Sequence, residues 1–291
     1  MNNGAVETRR LRILLELARL GSMRAVADEM ELTTSTVSQQ IAALARETGT
    51  ALIEPAGRRI RLTPAGRRLA EHSVTILAAV EAARLDLDPD AEPAGTVRVA
   101  GFATAVRRSL LPIVAELRGR DSPVRVAIRE HEPFEQFALL ASDDIDLALT
   151  YDYNLAPAAF DRSVVARPLW EVPWSLGVPD TPAAGAGLRA YAGHDWIVNS
   201  RNTADEDVVR TLASISGFTP QVVHQADSLA LVHDLIVAGL GVGMLPADQP
   251  VRPGVRLVPL TDPPVVLRAY AVTRRGRAGW PPLALLLRML S

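Results

Sequence analysis

The stretch LTTSTVSQQIAAL, Leu32 to Leu44, contains no charged residue. It opens on short hydroxyl side chains and runs into two glutamines. Val37, Ile41 and Leu44 recur at spacings of four and three, which is the period of a helix with one buried face. Thr33 or Thr34 can cap that helix, and its other side presents Thr34, Ser35, Thr36, Ser38, Gln39 and Gln40. A solvated face ordinarily carries charge pairs, so this one suits an uncharged polar surface packed closely against it. A DNA major groove is such a surface: short hydroxyls let the helix sit deep, and glutamine can bridge adenine N6 and N7.

The flanking segments fit this reading. Upstream, TRRLRILLELARL places Leu11, Leu14, Leu15 and Ala18 on one helical face; Gly21 stops that helix and Ser22 caps the next. The short helix in SMRAVADEM turns Ala25, Val26 and Met30 inward, and Ser22 and Arg24 at its start are candidate DNA contacts, as is Thr33. Downstream, TALIEPAGRRIRLTPAG reads as a two-stranded wing whose tip, Gly57 with Arg58, Arg59 and Arg61, offers cations to backbone phosphates.

Charge is distributed to match. The chain of 291 residues has a formal net charge of -2, yet residues 1–70 hold eleven arginines against seven acids, a local balance of +4. All 31 basic residues counted as Lys+Arg are arginine. The lack of lysine excludes a phosphate-loop lysine and any lysine Schiff base, and the lack of cysteine excludes disulfides, thiolate nucleophiles and thiol redox sensing. No apolar run is long enough to span a bilayer and no signal peptide is apparent, so a cytoplasmic protein without a membrane partner is expected.

Thr63 followed by Pro64 starts a long helix. Its positions Leu69, Ser73, Ile76, Val80, Ala83 and Leu87 alternate spacings of four and three, a seam suited to pairing with a second copy. DLDPDAEPAG, Asp86 to Gly95, is acidic with two prolines and reads as a linker between domains. The remaining 200 or so residues alternate strand and helix patterns, as in an α/β domain. TVRVAGF, VRVAIREHE and IDLALTYDY read as strands of a first unit; WSLGVP, DWIVNS and GVGMLP read as strands of a second. A helix in ADEDVVRTLASISG ends at Gly217, and SLALVHDLIVAG is capped by Ser228 and ends at Gly239. LRAYAVTRR and PPLALLLRML then return the chain to the first unit.

Ligands of open α/β sheets bind beyond the carboxyl ends of strands, which makes Thr104, Glu130, His131, Tyr151 and Asp152 candidate contacts. Thr104 also stands where a helix begins and backbone amides are free to meet a carboxylate.

Residues 8 to 66, through GSMRAVADEMELTTSTVSQQIAALARETGTALI and RRIRLTPAG, resemble the winged helix-turn-helix of LysR-type transcriptional regulators. AGLGVGMLP resembles a recurrent segment of that family's effector domain. Ile53-Glu54-Pro55 at the wing entry departs from the family pattern. The resemblance implies a winged helix-turn-helix over residues 1–62 and a linker and dimerisation helix over 63–92. It also implies an effector domain over 93–291, of two α/β subdomains like those of type 2 periplasmic binding proteins. Subdomain I would take residues 93–165 and 265–291, and subdomain II residues 166–264. Carried over position by position, it puts Ala103, Thr104, Asn199, Ser200 and Asp227 at the cleft, flanked by Phe102 and Ser228. The implied partners are double-stranded DNA, a small-molecule effector of carboxylate or aromatic character, a second copy in a dimer or tetramer, and RNA polymerase.

Rival chemistries are weaker. GLGVGM lacks the third glycine of a dinucleotide loop and follows a helix; the five histidines contain no pair at metal-ligand spacing; no Gly-x-Ser-x-Gly elbow occurs. No cofactor, metal or catalytic residue is expected. The alternatives are a ligand-binding protein without regulatory activity and, less favoured, a cleft enzyme using Glu130 and Asp152.

Overall fold

The computed structural model describes residues 6–56, 59–88, 90–181, 187–199 and 203–290. Three helices open it: α1 (Thr8–Leu20), α2 (Met23–Glu29) and α3 (Thr34–Thr48). Leu11, Leu14, Leu17, Val26, Val37, Ile41 and Leu44 close on a shared core with Leu52. The cap of α3 is Thr33, whose hydroxyl accepts from the Thr36 amide at 3.1 Å. Gly21 ends α1 in the left-handed region, at a φ of 66°. Two expected inward positions differ. Ala18 is exposed, and in α2 the fully buried alanine is Ala27 rather than Ala25, because the short helix rolls Val26 and Ala27 toward α3.

The wing is the antiparallel pair β1 (Ile53–Ala56) and β2 (Arg59–Leu62), in register Ile53↔Leu62 and Pro55↔Ile60. Pro55 is tolerated because a two-stranded ribbon leaves one side of each strand unpaired. α4 (Pro64–Leu87) follows, with the Thr63 hydroxyl accepting from Gly66 N at 3.0 Å and Pro64 in its first turn. Gly66 lies against Leu52, whose carbonyl oxygen occupies the space a Cβ would need. Ala70, Ser73, Val74 and Ala78 bury one side of α4 within the chain. Ser73 thus belongs to the internal face, while Ile76, Ala83 and Leu87 stay exposed.

The remainder is α/β. In order come β3 (Gly95–Gly101), α5 (Ala103–Ala105), a π turn over Val106–Leu110, α6 (Leu111–Gly119), β4 (Val124–Glu130), α7 (Pro133–Ala141) and β5 (Leu147–Tyr153). Then follow β6 (Val164–Pro179), β7 (Asp195–Asn199), α8 (Thr203–Ile215), β8 (Gln221–Ala226) and α9 (Leu229–Val237). β9 (Val242–Pro246), β10 (Val255–Pro259), β11 (Val265–Arg274) and α10 (Pro281–Met289) complete the chain. Among the described residues these strands form one nine-stranded sheet in the order β4-β3-β5-β11-β6-β9-β7-β8, with β10 also on β6.

β6 runs far beyond the expected WSLGVP strand. Its first part pairs with β11 from Val164↔Arg274 to Trp174↔Val265, and its end pairs with β9 and β10. These two strands therefore cross from one subdomain to the other. The sequence hides this because Arg167, Pro168 and Glu171 interrupt the apolar pattern along β6. β8 and β10 were likewise not anticipated. Ser228 begins α9 but its side chain makes no capping bond.

Asp146, at the start of β5, is a buried hub. Its carboxylate accepts from Arg98 N and Nε at 2.9 and 3.0 Å, from Arg98 Nη2 at 2.9 Å, and from Arg277 Nη2 at 2.7 Å. Burial alone would raise its pKa; the Arg98 hydrogen bonds and the two guanidinium charges outweigh it and hold the carboxyl below its ordinary value. Arg277 follows Gly276, which sits at a φ of 84° directly against Thr75 of α4, where a Cβ would overlap the threonine side chain. The same hub thus braces the seat of α4.

Because the folded pKa of Asp146 is lowered, its contribution to stability is complete above the unfolded carboxylate value, about 4, and is lost as pH falls through the folded value. Asp146→Asn should cost about 3 kcal/mol in urea unfolding at pH 7. It should also flatten the acid limb of the stability curve; a variant as stable as the native chain would remove Asp146 from the hub.

Candidate functional site

Two surfaces carry the chemistry. On the first, α3 presents Thr34, Ser35, Ser38 and Gln39 to solvent, with Thr36 half-buried behind them. Thr33, Ser35 and Thr36 share hydroxyl contacts of 2.8 Å around the cap, so the helix start is a fixed polar platform. Gln40 departs from the expected face: its Oε1 accepts from Arg10 Nε at 2.9 Å, because one more residue of helical rotation carries it from the outer face toward α1. The Gln39 side chain makes no hydrogen bond among the described residues, and Arg24 is exposed at the start of α2, beside its cap Ser22. Arg61 extends from the wing and meets Glu54 at 2.7 Å across the strand pair. Arg58 and the side chain of Arg59 lie outside the described residues.

The second surface is a cavity of about 220 Å³ at the carboxyl ends of strands from both subdomains. Phe102, Ala103 and Thr104 reach it after β3, Glu130 ends β4, and Tyr151 comes from β5; Asn199 ends β7, with Asp227 and Ser228 following β8. Arg107, Glu132, Trp170, Val172, Trp174, Leu229, Gln249 and Leu267 also line it and were not foreseen. Those from β6 and β11 could have been found only by recognising the crossing strands. Ser200 lies outside the described residues.

Two sequence candidates point elsewhere. Successive side chains of a strand face opposite ways, so Tyr151 and Tyr153 turn to one side of β5 and Asp152 to the other. There Asp152 is 2% exposed and accepts from Arg268 Nε and Nη2, both at 2.8 Å, and from Ala158 N at 2.9 Å. It is a structural anion. His131 contacts Glu135 at 3.1 Å on α7 and does not line the cavity.

Beneath the cavity an unforeseen bond joins the subdomains. The hydroxyls of Tyr151 and Tyr153 donate to the two carboxylate oxygens of Asp205, on α8, at 2.6 and 2.8 Å. All three side chains are buried. Burial, then the charge of Asp205, push the Tyr153 hydroxyl well above its ordinary pKa. The rings continue as a ladder, with Phe102 edge-on to Tyr151 at 4.6 Å and Tyr153 edge-on to Trp174 at 5.5 Å. Among the described residues no group of three or more His, Asp or Glu could hold a metal ion.

Residues 8–67 match the bacterial regulatory helix-turn-helix protein, lysR family, and residues 90–291 match the LysR substrate binding domain. The chain belongs to the LysR family. This LysR-type chain is 24% identical over 241 residues to the nitrogen assimilation regulatory protein nac of Escherichia coli (strain K12), covering 82% of the chain and 77% of that protein. It is 28% identical over 248 residues to the transcriptional dual regulator GltC of Bacillus subtilis (strain 168), covering 83% and 81%. A full-length OxyR variant from Pseudomonas aeruginosa shares the fold with a TM-score of 0.66 at 18% identity, over 98% of this chain and 96% of that one. A hydrogen-peroxide-bound OxyR variant from Corynebacterium glutamicum does so at 0.54 and 23%, over 99% and 94%. The protein is thus a DNA-binding transcriptional regulator with an effector-binding domain, of a family of regulators rather than enzymes. No helix among the described residues is long and apolar enough to cross a membrane.

Asp205→Ala would leave the buried Tyr153 hydroxyl without the acceptor it has here and take from Tyr151 the nearer of its two carboxylates. It should cost about 2 to 4 kcal/mol in denaturant unfolding, against about 1 kcal/mol for Tyr153→Phe. Equal and negligible losses would show that the junction does not depend on this bond.

Proposed function

We propose that the protein controls transcription in the cytoplasm by binding paired DNA half-sites as an oligomer and altering that binding when a small molecule occupies the cleft. The division of labour is residues 1–62 for DNA, 63–92 for pairing and 93–291 for sensing. Ser38 and Gln39 read base edges, Thr34, Ser35 and Thr36 fit the groove, and Ser22, Arg24, Thr33, Arg58, Arg59 and Arg61 hold phosphates. Effector contacts come from Phe102, Ala103, Thr104, Glu130, Tyr151, Asn199, Ser200, Asp227 and Ser228. The observation that carries the reading is the cavity lined from both subdomains at their strand ends. A ligand there changes the free-energy difference between subdomain arrangements only by its differential affinity, typically about 1 to 3 kcal/mol.

The exposed Ile76, Ala83 and Leu87, with half-buried Val80, lie at one seam of α4 and supply the pairing surface for a second copy. Dimeric recognition helices would enter successive major grooves about 34 Å apart, or multiples of that. RNA polymerase is the partner through which such a bound oligomer would act.

Footprinting on the DNA upstream of the protein's own gene, across a salt series, should show two helically phased protected half-sites that resist competitor DNA. Salt-labile, unphased binding alone would count against the proposal. Gln39→Ala should lower affinity for that site about tenfold or more while leaving random DNA within twofold, a loss matching about 1 to 3 kcal/mol of base discrimination. Arg59→Ala should weaken both DNAs alike and reduce the salt slope by about one. Uniform losses for Gln39→Ala would remove it from base reading.

A further inference from the structure

Gln40 turns away from the outer face of α3, yet its side chain is fixed. Its Oε1 accepts from Arg10 Nε at 2.9 Å. The same guanidinium pairs through Nη1 with Glu47, near the far end of α3, and through Nη2 with Glu7 at 3.0 Å, just before α1. The side chains of Arg10 and Glu47 are only 17% and 16% exposed, so this pair is held between the helices rather than out in solvent. Glu47 Oε2 is buried and accepts no hydrogen bond. Among the described residues, the charge of that carboxylate is answered by Arg10 alone.

The rest of the contact between α1 and α3 is apolar, with Leu11, Leu14, Ile41 and Leu44 in one core. Apolar burial is non-directional and leaves the rotation of a helix about its own axis loosely specified. A planar guanidinium, with its donors in a fixed fork, specifies direction. Gln40 and Glu47 are seven residues apart, close to two turns, and therefore lie on one stripe of α3. Both ends of that stripe are tied to one side chain of α1. Gln39, the next position around the helix, is exposed. Side-chain tips lie about 5 to 6 Å from a helix axis, so a rotation of about 10° displaces them by roughly 1 Å. Hydrogen-bond distances spread over only about 0.5 Å, so base reading by Gln39 depends on what holds this rotation.

We infer that Arg10 is a positioning residue for sequence recognition. Through Gln40 and Glu47 it clamps α3 in the rotation that aims Gln39 at base edges, without touching DNA itself. This rests on α3 being the base-reading helix.

The test measures anisotropy of the full-length protein on a labelled duplex that the native protein selects from a random pool, and on unselected duplex, across a salt series. Arg10→Lys keeps the charge and loses the fork. Glu47→Gln alters a side chain about 12 Å along the helix axis from Gln39. It removes an acid that phosphates repel, so by direct electrostatics it would strengthen binding to any DNA. Each variant, checked for folding by circular dichroism, should instead lower affinity for the selected duplex about fivefold or more while leaving unselected duplex within about twofold. The salt slope should not change, and the double variant should lose no more than the worse single one, because both break the same clamp. A salt slope reduced by about one in Arg10→Lys would mark a phosphate contact and overturn the inference. Equal losses on both duplexes would overturn it as well. Gln39→Ala, measured in parallel, separates the clamp from the reading beneath it. If Gln39→Ala loses discrimination while Arg10→Lys and Glu47→Gln keep it, only the clamp falls; if all three keep it, base reading by α3 falls too.

Discussion

The pairing of β6 with β11 is the constraint on which the sensing half depends. Ten register pairs tie Val164–Trp174 to Val265–Arg274 in one antiparallel ladder, and this ladder is the covalent and hydrogen-bonded passage between the subdomains. The first subdomain hangs on its outer edge through β5, and the second on β9 and β10. The strand ends of the two subdomains are opposed across this ladder, and the space between those ends is the cavity. Asp205 and its two tyrosines also join α8 to β5 below the ring ladder.

The DNA-binding half was legible almost residue by residue. Its helices are amphipathic with clean caps, so period and punctuation agree: Thr33, Thr63 and Gly21 do in the structure what their types suggest. The exceptions were faces, where Gln40 turns inward to Arg10 and Ser73 joins the internal side of α4. Local pattern cannot fix helix rotation to within one residue when polar side chains can satisfy themselves on either side.

The effector half was legible in class but less so in detail. Strand ends announced Thr104, Glu130 and Tyr151, yet the same rule also offered His131 and Asp152, which the structure spends on Glu135 and Arg268. Alternation along β5 separates Tyr151 from Asp152, but its phase depends on which neighbour covers which face, and that is set by β11, more than a hundred residues later. Trp170, Trp174 and Leu267 enter the cavity from the crossing strands for the same reason. Asp205 carried no signal beyond an acid near a helix start, since its meaning comes from two tyrosines some fifty residues earlier.

Gly276 fits against Thr75 with no room for a side chain, so the turn after β11 is seated directly on the middle of α4. A helix of 24 residues is about 36 Å long at 1.5 Å per residue. The contact falls near the centre of α4, which makes it a natural pivot. A tilt of subdomain I by about 10° would swing each end of it by roughly 3 Å in opposite senses, from that same geometry. One end leads out of the wing and the other runs on toward β3, so such a tilt would carry these two ends in opposite directions.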